Sequence, residues 1–304
     1  MLASGGRPVV GIQGGHVDSI PRARRHTLRR GVGACLTAAL ASCLALVAFA
    51  SAQGGSGDAQ SITITANAGA ATVTGADGLR PGPAQVTLRV AGKQDQSVFL
   101  IRLRPGVEVE DVLRYVRRHS DLVPVNLVSI ETFTSMGPGQ TSRTAITLVP
   151  GRYVAVGEGD RTTGLGRYAT FDVGGAPTGG TLPRADASIQ MFDYGFRIPK
   201  KIDGDGVLRV DNIGRNEHFI AGIRLNPGVN PAVVRRQLIA GADFQGPPPG
   251  EFVQIIGVVS PGTSNVLDVD LKPGVYLVAC FYADRASAGH EHSDFGMVRQ
   301  MTVR

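Results

Sequence analysis

The feature that most constrains the fold of this 304-residue chain is an internal repeat at an offset of 122 to 123 residues. Three pairs of segments match in the same order: "FLIRLRPGV" (99–107) with "IAGIRLNPGV" (220–229), "PGQT" (138–141) with "PGTS" (261–264), and "LVPGRYVAV" (148–156) with "LKPGVYLVA" (271–279). The closing segments "YATFDV" and "VRQMTV" also correspond. We therefore predict two domains, 60–175 and 184–304, joined by a Gly- and Pro-rich linker at 176–183.

Each repeat unit has the pattern of a β domain. The chain holds 41 glycines and 18 prolines but no tryptophan, which favours short strands joined by tight turns. One helix per unit is predicted. In the second unit Asn230 is placed to cap it, Pro231 takes the first helical position, and Val234 and Leu238 share a face. About 115 residues with short strands and one short helix predict a Greek-key β-sandwich.

The N-terminal 52 residues have the pattern of an export signal. Five arginines precede an apolar run at 33–50, and the run ends in the small residues of Ala50-Ser51-Ala52. A charged segment, an apolar segment and a small-residue cleavage site define a signal peptide, here 1–52, followed by a polar spacer at 53–59. Two alternatives remain open: a membrane-spanning helix, and a lipoprotein anchored at Cys43 within "LASC".

The positive charge of the chain is concentrated in this signal segment. Six of the 31 basic residues and one of the 25 acidic residues lie in 1–52, which leaves 25 basic and 24 acidic residues for the exported part. A nearly neutral mature protein gives no electrostatic argument for nucleic-acid binding. We expect a secreted or otherwise extracytoplasmic protein with no stable membrane span after signal removal.

The segment "CFYADRASAGHEHSDFGM" (280–297) concentrates metal-binding residue types. Cys280 is the only cysteine outside the signal segment, so the mature chain can form no internal disulfide. By itself Cys280 could be an inert buried thiol, a reactive thiol or a metal ligand. His290 and His292 follow it within the same segment.

The second unit resembles the cupredoxins, the small blue-copper proteins, over about 115 residues, and the first unit resembles them more faintly. The resemblance is carried by "DYGFRIPKKIDGDGVLRVDNIGRNEHF" (193–219) and "LKPGVYLVACFYADRASAGHEHSDFGM" (271–297). It implies four copper ligands: His218, Cys280, His292 and Met297. It also implies one type-1-like copper, a role in electron transfer or copper binding, and a redox partner protein.

These residue types suit copper. A thiolate and two imidazoles with a weak thioether contact serve both copper oxidation states, whereas zinc gains little from methionine. Eleven residues separate Cys280 from His292, more than small blue-copper proteins have. Closing a loop about three times longer costs roughly 1 kcal/mol, little against the roughly 10 kcal/mol of tight metal binding. The choice between His290 and His292 stays open.

The first unit lacks the whole ligand set. Gln96, Gly157 and Arg167 stand at the positions of His218, Cys280 and Met297. We therefore expect a degenerate, metal-free first domain.

Outside the signal segment the chain has only the histidines His119, His218, His290 and His292. Copper oxidases need a second, histidine-rich centre, so we expect an electron carrier or binding protein and not an enzyme. The alternative function is a metal-free secreted β-sandwich module for interaction or adhesion.

Overall fold

The structure is a computed structural model. It describes residues 60–118, 124–157, 167–241, 244, 247–283 and 287–304. The predicted signal peptide 1–52, the spacer 53–59, the alternative anchor Cys43 and His119 lie outside these residues. Within the described part of the chain, every helix is too short or too polar to cross a membrane.

The first half of the chain contains one helix and eight strands among its described residues. In chain order these are β1 (Gln60–Asn67), β2 (Ala70–Thr74), β3 (Gly82–Val90), β4 (Gln96–Leu103), α1 (Val109–Arg118), β5 (Val128–Met136), β6 (Thr141–Leu148), β7 (Gly151–Gly157) and β8 (Tyr168–Val173).

The second half repeats this order with one added short strand. Its elements are β9 (Ala187–Phe192), β10 (Gly195–Arg197), β11 (Lys201–Ile202), β12 (Asp205–Asn212), β13 (His218–Leu225), α2 (Pro231–Ile239), β14 (Gly250–Val259), β15 (Ser264–Asp270), β16 (Gly274–Ala279) and β17 (Val298–Val303). A single turn of 3-10 helix, His292–Phe295, precedes β17.

The strands form two β-sandwiches of the same internal order. In the first half, the sheet β5-β4-β7-β8 faces strands β6-β3-β1-β2. In the second half, the sheet β14-β13-β16-β17-β11 faces strands β15-β12-β9-β10. In both, the first strand runs parallel to a later strand of the same sheet, β1 to β3 and β9 to β12. The predicted all-β class with two tandem cupredoxin-like sandwiches is confirmed.

The predicted helices lie where the sequence placed them. The Asn230 side chain accepts a hydrogen bond from the Ala232 N–H at 2.9 Å, and Pro231 opens α2. Val234 and Leu238 are the buried residues of this helix. α1 has acidic residues in its first turn and arginines in its last, the distribution that the helix dipole favours.

One sheet joins the two sandwiches, a feature that the repeat does not predict. β6 and β15 pair antiparallel through Ala145 and Val266, which makes one eight-stranded sheet of the two four-stranded layers. The linker is not part of this continuity, because residues 174–186 lie outside the strands. Pairing two edge strands satisfies N–H and C=O groups that would otherwise remain open.

Side chains also pack and form hydrogen bonds across the boundary between the two sandwiches. Phe133 of β5 packs on Gly257 of β14, where any Cβ would overlap its ring. The Ser260 hydroxyl accepts the Ile130 N–H at 2.9 Å, and the Asn265 amide donates to the Glu131 carbonyl at 3.0 Å. The apolar core is correspondingly continuous from the second sandwich into β5 and β7 of the first.

Candidate metal centre

Two antiparallel strands bring His218 and Cys280 to the same end of the second sandwich. His218 is the first residue of β13, and Cys280 directly follows β16. The two strands pair with Ala221 opposite Ala279. The start of one strand therefore lies beside the end of the other, although 62 residues of sequence separate the histidine from the cysteine.

The loop from Cys280 to Met297 is closed at its base by backbone hydrogen bonds. The His292 N–H donates to the Tyr282 carbonyl at 2.9 Å, and Ala283 forms an antiparallel bridge with Glu291. This bridge returns the chain to the end of β16 whatever the length of the intervening segment. The long loop noted in the sequence therefore does not carry His292 away from Cys280.

Three donor atoms converge at this point. The Nδ1 atoms of His218 and His292 are 3.0 Å apart. The Cys280 Sγ lies 3.9 Å from Nδ1 of His218 and 3.6 Å from Nδ1 of His292. All three side chains are fully buried.

The spacing of these donors fits a metal ion in their plane. Bonds of about 2.0 Å to nitrogen and about 2.3 Å to sulfur, at trigonal angles, separate two nitrogens by about 3.5 Å and nitrogen from sulfur by about 3.7 Å. The two observed nitrogen–sulfur separations lie on either side of about 3.7 Å, and the nitrogen–nitrogen separation of 3.0 Å is shorter than the ideal value. Among the described residues, this is the one group of three or more histidine, cysteine, aspartate or glutamate side chains whose donor atoms lie close enough to share an ion.

Met297 lies in the same buried region of the second sandwich. It is fully buried and packs in the apolar cluster that contains Cys280. Its carbonyl accepts the Cys280 N–H at 3.2 Å, and its own N–H donates to the His292 carbonyl at 3.1 Å. The backbone of Met297 thus ties the cysteine to the second histidine.

His290 lies outside the donor cluster. Its side chain is 47% exposed, and its Nδ1 is 3.5 Å from the Asp294 carboxylate. The Ser287 hydroxyl holds the His290 carbonyl at 2.6 Å in a turn. Of the two histidines that the sequence left as alternatives, the structure brings His292 to Cys280 and leaves His290 at the surface.

The surroundings of Cys280 favour its thiolate form over its thiol form. Burial alone raises its pKa, but hydrogen bonds and charge from His218 and His292 outweigh burial and lower the pKa to about 6. The Phe219 N–H also points at the sulfur from 3.5 Å. Because the thiolate is the form that binds metal, this environment favours coordination at neutral pH.

The turn between β9 and β10 supplies contacts that the sequence did not reveal. Tyr194 takes the left-handed conformation, with φ of 62°, and its ring meets that of His292 edge-on at 5.2 Å. Phe295 packs on Tyr194, with ring centroids 4.7 Å apart. Asp193 reaches the other histidine, with its Oδ1 3.6 Å from Nε2 of His218. No local motif marks this turn, which precedes His218 by some two dozen residues.

Asp193 is held firmly by its surroundings. Partial burial raises its pKa, but hydrogen bonds from the backbone N–H groups of Arg215 and Asn216, together with His218, lower it further than burial raises it. Those two N–H groups lie 2.7 and 3.1 Å from Oδ1. The carboxylate is therefore ionised at neutral pH and fixed beside the histidine.

In the first half the equivalent space is filled. Gln96 opens β4 as His218 opens β13, and Gly157 ends β7 one repeat before Cys280. The Gln96 side chain accepts the Gly69 N–H at 2.9 Å. A Cβ on Gly157 would lie 3.1 Å from the Gly69 carbonyl oxygen. The β1–β2 turn thus occupies the place where a cysteine side chain would stand.

Comparisons with known proteins place the chain among remote neighbours. No protein-family model matches it, and no curated protein matches it. Among solved structures, reduced auracyanin from Roseiflexus castenholzii is 18% identical, covers 38% of this chain and 94% of its own, and has a TM-score of 0.24. Copper nitrite reductase from Nitrosomonas europaea is 15% identical over 80% of this chain and 94% of its own, with a TM-score of 0.23. A multi-copper oxidase from Pediococcus acidilactici is 10% identical over 80% of this chain and 58% of its own, with a TM-score of 0.21.

Identities and scores this low carry no argument about activity. The likeness therefore rests on the features of the chain itself. These are the tandem sandwiches with one strand order and the buried histidine, cysteine and histidine at one end of the second. In fold and in donor set, the chain is similar to the cupredoxins.

Proposed function

We propose that this protein is an exported cupredoxin-like protein that binds one mononuclear copper in its second sandwich. His218, Cys280 and His292 would hold the copper, and Met297 would supply a weak thioether contact. The convergence of three fully buried donors within 4.8 Å of one another is the observation that carries the proposal. The domain boundaries at 60–175 and 184–304, and the tandem duplication, belong to the same proposal.

The donor set favours copper over zinc. A soft thiolate, two imidazoles and a thioether suit copper, which would supply one-electron redox chemistry when bound. Both strands that carry the first two ligands are held in a sheet, and the third ligand is held by backbone hydrogen bonds. These residues keep the donors in one arrangement, which suits a metal that changes charge without changing ligands.

Burial favours electron transfer or copper storage over catalysis. His218, Cys280 and His292 have no exposed surface, so they shield the metal position from water and leave no open position for a substrate. The same burial argues against a nucleophilic enzyme. Cys280, His218 and Asp193 stand in the order of a nucleophile, base and acid, but no substrate can reach a fully buried sulfur.

Export and a redox partner complete the proposal. Export is supported by the arginine-rich segment, the apolar run and the small residues at 50–52. A buried metal that changes oxidation state needs a donor or acceptor protein on the same side of the membrane. The first sandwich, with Gln96 and Gly157 at the ligand positions, serves as a structural or docking domain.

The deciding experiment is to add Cu(II) to the purified mature protein, record the visible spectrum and measure retained copper after gel filtration. We expect an intense thiolate-to-copper band and one copper per chain. Cys280→Ser is expected to lose the band, because an alcohol is a poor soft ligand. A featureless spectrum with no retained copper would instead support the metal-free interaction or adhesion module.

A further inference from the structure

The outer nitrogen of His218, Nε2, is a polar atom of the donor cluster that would not contact the proposed copper. Nδ1 faces Cys280 and His292, so Nε2 points the other way. That Nε2 atom is buried and has no hydrogen-bond partner. A buried polar atom without a partner costs about 1–3 kcal/mol, so its surroundings need a reason.

The nearest charged group to this atom is the Asp193 carboxylate, 3.6 Å away. This separation is longer than a hydrogen bond, so the contact in this structure is electrostatic. Gly214 makes the approach possible. A Cβ at that position would lie 2.6 Å from Oδ1 of Asp193 and 3.0 Å from Nε2 of His218. Because Gly214 has no side chain, the Asp193 carboxylate can lie next to Nε2 of His218.

We propose that Asp193 is a positioning residue of the metal centre: it holds the proton of His218 on Nε2, leaves Nδ1 free for the metal, and stabilises the more highly charged Cu(II) over Cu(I). This inference rests on the proposed function.

The tautomer follows from charge. A carboxylate attracts the N–H side of a neutral imidazole and repels its lone-pair side, so Asp193 favours the form with hydrogen on Nε2. Nδ1 of His218 then presents a lone pair to the donor cluster, and the Nδ1–H of His292 remains available to the sulfur of Cys280, 3.6 Å away. Carboxylates behind metal-binding histidines commonly have this effect.

The first half shows what the same turn does without a metal site. There the β1–β2 turn meets the first residue of β4 through an N–H donated by Gly69 to Gln96. In the second half the corresponding β9–β10 turn presents the Asp193 carboxylate to the first residue of β13. The turn therefore contacts the ligand position in both halves, and it carries a negative charge only where the position is a histidine.

The test compares Asp193→Asn with the wild type in the full mature protein. Asparagine keeps the oxygen that accepts the Arg215 and Asn216 N–H groups, removes the charge and replaces the second carboxylate oxygen with an amide NH2 group. We expect the preference for Cu(I) over Cu(II) to rise about tenfold, which for a one-electron couple is 59 mV in reduction potential. Cu(II) affinity is expected to fall about tenfold, the lower end of second-shell effects.

A metal-free readout separates this proposal from the copper proposal. Because the Cys280 thiolate also attracts a proton to Nδ1 of His218, the measurement uses metal-free Cys280→Ser. Nitrogen-15 NMR of its His218 ring is expected to show the proton on Nε2, with a shift toward Nδ1–H when Asp193→Ala is added. A proton found on Nδ1 in Cys280→Ser with Asp193 present overturns the positioning role. If the wild type retains no copper, the proposed function fails, while the tautomer still reports on Asp193.

Two controls isolate the charge at this position. Asp186→Asn removes another carboxylate that accepts a backbone N–H, that of Val207, at the opposite end of β9 and β12. Arg215→Ala removes the exposed cation 3.5 Å from Asp193, whose charge solvent screens. We expect both to keep the wild-type potential. An Asp193→Asn protein with wild-type potential and Cu(II) affinity overturns the proposal and leaves the proposed function standing.

Discussion

Nδ1 of His218 and Nδ1 of His292 lie 3.0 Å apart, although 74 residues separate the two histidines in the sequence. Both atoms face the sulfur of Cys280, and none of the three side chains is exposed. Two imidazoles and a thiol that meet in the protein interior are costly to bury unless they share an ion or a proton. This relationship is the basis of the predictions that follow.

His292→Ala is expected to abolish copper binding, whereas His290→Ala is expected to leave it within about threefold of wild type. The first removes a donor from the cluster, and the second removes a half-exposed ring paired with Asp294. The measurement is copper affinity by competition with a chelator of known strength. Loss of binding in His290→Ala alone would reverse the ligand assignment.

Met297→Leu is expected to retain copper and shift its reduction potential upward. Leucine preserves the volume of a fully buried side chain, so the cost in folding free energy stays below about 1.5 kcal/mol. It removes the thioether, a weak contact that tunes the reduction potential of the metal but contributes little to its binding. Electrochemical titration of the blue band measures the shift, and an unchanged potential argues against an axial role for Met297.

The metal-free protein is expected to lose stability as the pH falls from about 9 to about 6. Hydrogen bonds and charge from His218 and His292 outweigh burial and bring the folded pKa of Cys280 to about 6, from the ordinary value of 9.0. Between these values the unfolded chain binds a proton that the folded chain does not, so stability is present above pH 9 and is lost toward pH 6.

Cys280→Ser is the control for this pH dependence, because serine has no proton to release in the window. Urea denaturation of both proteins at pH 6, 7.5 and 9 measures the difference in the free energy of unfolding. A wild-type profile parallel to that of Cys280→Ser would show that the thiol does not ionise in the folded state.

Gly257→Ala is expected to destabilise the protein by about 1–3 kcal/mol, the usual cost of an overpacked core. The added methyl would overlap the Phe133 ring at the junction of the two sandwiches. Gly174→Ala is the matched control, since nothing lies within 4 Å of its Cβ position. Denaturant titration compares the two variants. Equal stabilities would mean that the halves separate in solution and leave Phe133 free to move.

Export predicts a mature N-terminus near Gln53, directly after Ala52. N-terminal sequencing of the protein recovered from outside the cytoplasm checks this position. A mature chain that begins with a lipid-modified Cys43 would replace free secretion with a membrane anchor.

The sequence determined the repeat, the β class, the two short helices and the types of residue that gather at the donor cluster. These features follow from local rules: alternation of apolar residues, Pro-Gly turns, and helix caps such as Asn230. The resemblance to cupredoxins then selected His218 and Cys280 from segments that no local rule connects.

Only the tertiary structure shows that His292 lies beside Cys280 and that His290 is half-exposed, on either side of the Ala283–Glu291 bridge. It also revealed the pairing of β6 with β15, since edge-to-edge contact depends on which strands finish at the sheet margin. Asp193 could not be found from sequence for the same reason. Its contact with His218 is made by the β9–β10 turn of one sheet with the start of β13 in the other sheet, and spacing along the chain does not encode such a contact.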